Sequence, residues 1–251
     1  MSDGVTGEHS ERFGNTLYLI LVAIAMLVFV CALLAGALFL CFQRWLESAA
    51  RPSVYGEITP DGLSRLLTFV ARKAGLSGVD ELLQDAAFID VGSGKGRTLV
   101  FVGVSWPNIR FVAGIESDEQ RHLQALELVS KARRSQRAPL RVRLVPGDAF
   151  EHKSWECALR GDGNDSESDN GVRRYIVLAN TLCFDEALQV RLLQRIEAMI
   201  GSNQELFVLS SKCIEFLPFN RRVITWHKKE VGVSWSSSGE TFQIYWMPKA
   251  G

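Results

Sequence analysis

Along the chain, apolar and polar positions alternate in two rhythms. "DGLSRLLTFVARKAG" (Asp61–Gly75) carries leucines and a valine at helical spacing, with Asp61 as candidate cap. "AAFIDV" (Ala86–Val91) is a short unbroken apolar run, the pattern of a strand buried on both faces. "RTLVFVGVSW" predicts a helix packed on that strand, and "RFVAGIE" (Arg110–Glu116) a second strand. "DEQRHLQALELVSKARR" (Asp118–Arg134) is amphipathic at the 3.6-residue period, and "RVRLVPGDAF" (Arg141–Phe150) gives a third strand and its turn. The series continues with a strand at "RRYIVLAN" (Arg173–Asn180), a helix at "DEALQVRLLQRIEAMI" (Asp185–Ile200) and a strand at "ELFVLSSK" (Glu205–Lys212). "RVITWHKKEVGVSW" and "ETFQIYWM" then alternate like antiparallel strands. Strand–helix alternation closed by a strand pair predicts an open α/β sheet, mostly parallel, with an antiparallel C-terminal edge.

Two stretches depart from this rhythm. "GDGNDSESDNG" (Gly161–Gly171) is small, acidic and polar, and reads as a flexible surface insert. "LYLILVAIAMLVFVCALLAGALFLCF" (Leu17–Phe42) holds no charge over 26 residues. As a helix it would run roughly 39 Å, more than the ~30 Å of a bilayer's hydrocarbon. The expectation is one N-terminal transmembrane helix. The acidic residues before it, Asp3, Glu8 and Glu11, argue against a cleaved signal. Trp45 stands where an interfacial aromatic belongs. Arg44 and Arg51 after the span, against Arg12 before it, bias the C-terminal part to the cytosolic or inner side. The expected organisation is a polar tail (1–16), the span (17–42), a juxtamembrane linker (43–54) and a folded domain (55–251). A linker of twelve residues, Gln43–Val54, keeps that domain near the bilayer, its lipid partner.

Composition narrows the function classes. Twenty-eight basic and 28 acidic residues cancel, so no global field gathers nucleic acid, and direct nucleic-acid binding is not expected. "KARRSQRAPLRVR" (Lys131–Arg143) is locally basic and reads as a solvated helix end and loop, with an acidic-partner or headgroup patch as the alternative. The five cysteines show no C-x-x-C and the four histidines no H-x-x-x-H. No metal site and no disulfide framework is therefore expected.

The chemistry concentrates in "DVGSGKGRT". Gly96 follows Lys95 where a P-loop needs Ser or Thr, and Gly92, Gly94 and Gly96 give G-x-G-x-G, not G-x-G-x-x-G. Both pyrophosphate readings fail, which leaves S-adenosylmethionine lying on Asp90, Gly92, Ser93, Gly94, Gly96 and Arg97. Asp90, Glu116 and Asp148 come at three successive strand ends, hence on one sheet edge. Asp90 can hold a cofactor ammonium, Glu116 both ribose hydroxyls, and Asp148 the adenine amino group, with Ala149 or Phe150 beside the ring.

"VYGEI" (Val54–Ile58), "DVGSGKGR", "GIE", "GDAF", "NTLCF" (Asn180–Phe184), "SSK" (Ser210–Lys212) followed by "PFNRR", and "VSW" (Val233–Trp235) occur in that order. Together they resemble the non-SET histone lysine methyltransferases of the disruptor-of-telomeric-silencing (Dot-one) type, within the class I (Rossmann-like) methyltransferases. The resemblance covers about Ser53 to Met247. It implies that Tyr55, Gly56, Glu57 and Ile58 form a lid over the cofactor, and that Asn180 lies near the transferred methyl. Phe184, Trp235 and Tyr245 (or Phe242) would wall a lysine channel, with Tyr55 at its mouth. The implied acceptor is a protein lysine, histone or membrane-proximal; a small or lipid-borne acceptor at the bilayer, or a non-catalytic module that keeps the fold, are the alternatives. This sequence has Thr181 where the family has a second asparagine, and Ala149 where it has an aromatic.

Overall fold

The computed structural model describes residue 26 and residues 56–135, 139–160, 171–182, 184–200, 203–212, 219–220, 222–234 and 236–249. The Leu17–Phe42 span (Met26 apart, which is helical), the tail, the linker, Tyr55, Trp235 and most of the acidic insert lie outside them. Among the described residues no helix is long and apolar enough to cross a membrane.

The chain divides at Ser53/Val54, and the second unit, Val54–Gly251, carries the α/β elements. In order these are α1 (Pro60–Lys73), α2 (Val79–Leu83), β1 (Ala86–Val91), α3 (Arg97–Ser105), β2 (Phe111–Glu116), α4 (Glu119–Ser135) and β3 (Val142–Pro146). There follow α5 (His152–Arg160), β4 (Arg174–Ala179), α6 (Glu186–Ile200), β5 (Glu205–Ser210), β6 (Ile224–Val233) and β7 (Ser236–Met247). They form one seven-stranded sheet in the order β3-β2-β1-β4-β5-β7-β6. Strands β1 to β5 are parallel, and β7 enters antiparallel between β5 and β6. The result is an open, Rossmann-like α/β sheet. The edge is subtler than a simple terminal hairpin, because β6, on the far side of β7, regains the direction of the parallel strands.

β1 and β2 are buried along their whole length, as unbroken apolar runs require when helices cover both faces. Side-chain alternation sorts the core in two. Phe88, Val112, Ile176 and Phe207 point into one cluster with Leu63, Leu66, Leu67 and Val70 of α1, Leu99 of α3 and Val129 of α4. Ala87, Ile89, Val177 and Val208 point into the other with Trp155 of α5 and Leu192 and Ile196 of α6. The i, i+3, i+4 spacing of the α1 set is what places one helix stripe on a sheet. Helix α5 is absent from the sequence reading, although Trp155, Ala158 and Leu159 carry that spacing over a short length.

The cap of α1 is Thr59, not Asp61. Thr59 Oγ1 accepts the Gly62 amide at 3.0 Å, and Pro60 sits in the first turn, where it loses no hydrogen bond. Asp61 lies within that turn and pairs with Arg65 at 2.8 Å. At Gly62 the helix meets β6 backbone to backbone. A Cβ there would strike the Gly232 carbonyl, with Gly232 N and C at 2.7 and 2.8 Å.

Candidate active site at the carboxyl rim

In this strand order β1 is the point from which the chain winds outward in both directions. The crevice beyond the carboxyl ends of β1 and β4 is therefore where such sheets take ligands. The glycine run leaves β1 at that crevice. Gly92, Gly94 and Gly96 all have positive φ, 75°, 55° and 75°, which L side chains rarely adopt. The amides of Gly92 and Ser93 donate to Ile115 O at 2.8 and 3.1 Å, folding the loop over the end of β2. A Cβ at Gly92 would meet nothing within 4 Å, so that backbone faces open space. Gly96 is instead pressed on α4, where a Cβ would come 3.0 Å from Ala125 Cβ. Ser93 does not present its side chain to the crevice. Its buried hydroxyl sits over Gly114, whose own Cβ would collide with it at 2.6 Å.

Three carboxylates converge here. Asp90 is 5% exposed, and burial pushes its carboxyl well above the usual range, with Glu57 and then Glu116 adding to the shift. Glu116, 4% exposed, accepts the Gly94 amide on Oε2 and the Asp118 amide on Oε1, both at 2.8 Å. Arg121 reaches the same Oε1 at 3.2 Å. Beside it the buried His122 imidazole is held below its ordinary value by burial, against the pull of Glu116. Glu57 stands across the glycine loop from Arg97, at 3.3 Å. Asp148 lies two residues beyond β3, exposed, with Oδ1 accepting the Phe150 amide at 2.9 Å. Ala149 is buried, and its carbonyl accepts the Trp155 indole at 2.7 Å.

The segment Gly56–Thr59 is tied to the end of β6. Glu57 N donates to Ser234 Oγ and Ser234 N to Glu57 O, each at 2.9 Å. Thr59 N donates to Gly232 O at 3.0 Å, and Ile58 bridges Val233. Asn180, just past β4, donates from Nδ2 to Gly56 O at 3.0 Å and accepts from Ser211 Oγ at 2.9 Å. Phe184 packs against Phe150 at 5.9 Å between ring centroids, and its carbonyl accepts Lys212 Nζ at 2.6 Å.

The structure thus brings together Gly56, Glu57, Ile58, Asp90, the glycine loop, Arg97, Glu116 and Asn180. Asp148, Ala149, Phe150 and Phe184 stand along the same rim. Tyr245 does not belong with them. It is fully buried, opposite Val208 and with its ring on Phe219, inside the cluster under α5 and α6. Phe242, the other candidate, is buried on the opposite face. Between them it is Gln243 that pairs with Ser210, the last residue of β5. Tyr55 and Trp235 flank described residues, Gly56 and Ser234, but lie outside them. Ser211, Arg121 and Lys212 were missed as holders of site residues. Only the "SSK" stretch carried any signal for two of them.

A scan against protein-family models finds no match, and no curated protein sequence matches the chain. Among solved structures the chain is similar to a putative methyltransferase, YhhF, from Escherichia coli. The identity is 14%, 75% of this chain and 85% of that one are covered, and the TM-score is 0.48. It is also similar to an RNA methyltransferase from Salinibacter ruber in complex with S-adenosyl-L-homocysteine, at 13% identity, 77% and 95% coverage and TM-score 0.43. A third is TrmN from Thermus thermophilus, at 15% identity, 75% and 48% coverage and TM-score 0.46. Such distant likenesses assign neither substrate nor residue roles.

Proposed function

We propose that the chain is an S-adenosylmethionine-dependent methyltransferase acting on an amine, with a protein lysine as acceptor. One observation carries the cofactor assignment. The crevice at the sheet's switch point is lined by the buried Asp90 with Glu57 and Glu116 close enough to raise its proton affinity. Burial is the larger cause of that raised affinity, and the two neighbouring carboxylates add a negative local potential to it. A pyrophosphate would be repelled there, whereas a cationic ligand would be drawn in. The bare backbone at Gly92 leaves room for it.

Asp90 would receive the cofactor's ammonium, Glu116 its ribose hydroxyls through the lone pairs its backbone donors leave free, and Asp148 Oδ2 its adenine end. S-adenosylmethionine supplies an electrophilic methyl group on a cationic sulfur. The protein's part is to hold Gly56–Thr59 across the crevice through Asn180 and Ser234, to exclude water, and to align an amine lone pair. Among the described residues, no carboxylate outside the cofactor set is assigned the part of a general base. The acceptor amine is expected to arrive neutral, its ammonium disfavoured beside Phe150 and Phe184. The lysine assignment is supported by the motif order from "VYGEI" to "VSW". The apolar Leu17–Phe42 run supports a single-pass membrane anchor with the acceptor near the bilayer.

Isothermal titration of the full chain in mild detergent tests the first step. S-adenosylmethionine and S-adenosylhomocysteine should bind and NAD should not; NAD heat without S-adenosylmethionine heat would overturn it. Incubation with methyl-labelled cofactor and nucleosomes, membrane protein extract or total RNA tests the second. Label on protein lysine supports the proposal, and label confined to RNA refutes the lysine acceptor.

A further inference from the structure

The contacts of Asn180 fix more than its position. Gly56 O can only accept, so the atom facing it at 3.0 Å must be the amide nitrogen. Ser211 Oγ already accepts the Thr181 amide at 3.0 Å, so its one proton is free to go to Asn180 Oδ1 at 2.9 Å. These two requirements admit one orientation of the amide. They also form a directed relay: Thr181 N–H to Ser211 Oγ, Ser211 O–H to Asn180 Oδ1, Asn180 Nδ2–H to Gly56 O. The relay joins the rim of β4, the residue after β5, and the segment over the crevice. Its members are 31 and 124 residues apart in the chain, so no local turn explains it.

The far side of that segment is equally anchored. Ser234 holds Glu57 in both directions, and Arg97 reaches the Glu57 side chain across the glycine loop. The relay is therefore the tie on the β4 side, facing the crevice, while Ser234 and Gly232 supply the tie on the β6 side. Thr181 is secured in turn. Its hydroxyl meets Ser210 Oγ at 2.9 Å, and Gln189 Nε2 lies 3.4 Å from its carbonyl. The relay starts from a fixed point.

We infer that Ser211 is a positioning residue. By donating to Asn180 Oδ1 it holds the amide against Gly56 O, latches Gly56–Thr59 over the cofactor site, and so controls how long the cofactor stays bound. This rests on the cofactor reading above. The latch itself is a property of the ligand-free protein.

Loss of the serine hydroxyl leaves Asn180 Oδ1 without its donor, so the side chain is held only by its bond to Gly56 O and leaves that bond more readily. Ser211→Ala is expected to speed hydrogen exchange at the amides of Glu57 and Thr59 by about 5-fold, the worth of one net hydrogen bond. Exchange at the core amides of Val177 and Phe207 should stay unchanged. Ser211→Thr keeps the hydroxyl and should restore slow exchange. Asn180→Asp places a carboxylate against Gly56 O and should speed exchange relative to the parent chain at neutral pH, the ratio of the two rates falling on acidification as the carboxyl regains a proton to donate.

In the cofactor arm, the dissociation rate of S-adenosylmethionine should rise about 5-fold in Ser211→Ala, with threonine again restoring it. Unchanged exchange at Glu57 and Thr59 in Ser211→Ala would overturn the inference, as would equal acceleration of the core amides. A parent chain that binds no S-adenosylmethionine would overturn the cofactor reading instead, and the ligand-free exchange then decides the latch alone.

Discussion

Replacing Asp90 by asparagine should make the ligand-free protein more stable, by an amount that depends on pH. Asp90 is nearly fully enclosed, and burial together with Glu57 and Glu116 raises its folded-state proton affinity. The unfolded chain releases that proton near the ordinary value of 3.8. Between that pH and the raised folded-state value, the folded protein binds one more proton than the unfolded chain, so stability falls as pH rises. The contribution is fully present below 3.8 and is lost as pH climbs through the folded-state value. The slope is ~1.4 kcal/mol per pH unit. Asparagine has the same shape and no such proton, so its packing and hydrogen bonding add only a constant. For a domain the size of Val54–Gly251, ~1 kcal/mol moves the melting temperature by roughly 2–4 °C. The variant-minus-parent difference should therefore grow by roughly 3–5 °C per pH unit across the window, then level off. Thermal melts of both proteins from pH 4.5 to 8 at constant ionic strength measure this. With saturating S-adenosylmethionine the order should reverse, since the ammonium would stabilise the aspartate and find only an amide in the variant. A difference that does not change with pH would refute the claim that Asp90 sits in a negative, desolvated pocket.

Three other substitutions probe separate parts of the argument. Gly62→Ala forces the α1 and β6 backbones apart and strains the Thr59–Gly232 contacts; it should cost about 1–3 kcal/mol in denaturant titration and weaken cofactor binding in parallel. Glu116→Gln turns an NH2 toward a backbone N–H and should cost about 1–3 kcal/mol of stability, with cofactor affinity down by about 10-fold or more in titration calorimetry. Arg174→Ala removes a 2.9 Å bond to Glu205 and two bonds to the α2 carbonyls of Glu81 and Leu82, at the opposite end of the sheet. It should lower stability by about 2–3 kcal/mol and leave the cofactor dissociation constant unchanged, separating global from site effects.

What the sequence disclosed was local. The apolar runs of β1 and β2, the amphipathic face of α4 and the left-handed glycines are each written within a dozen residues, and each is where the reading put it. Asp90 and Glu116 followed, because parallel strands must end on a common edge. The order β5-β7-β6 was not legible, since period-2 alternation says that a segment is a strand but not which neighbour it takes. Tyr245 shows the cost of that gap. Moving one position along a strand changes the face, and without the register an aromatic in "TFQIYW" could be set on either side. Asp61 reads as a cap because a carboxylate is a good cap in isolation; Pro60 in the first turn sets the cap two residues earlier, at Thr59. The partners of Asn180, Gly56 and Ser211, come from distant parts of the chain, and no spacing rule reaches across that separation.

The backbone contact between Gly62 and Gly232 has a consequence for synthesis. The helix that opens the domain rests on a strand that is made after β1 to β5, and the segment preceding that helix gains its backbone partners only when Ser234 emerges. The sheet from β1 to β5 can form earlier, as successive parallel units. The crevice therefore stays open to water while β1 to β5 are made, and is covered only when Gly56–Thr59 docks on the end of β6.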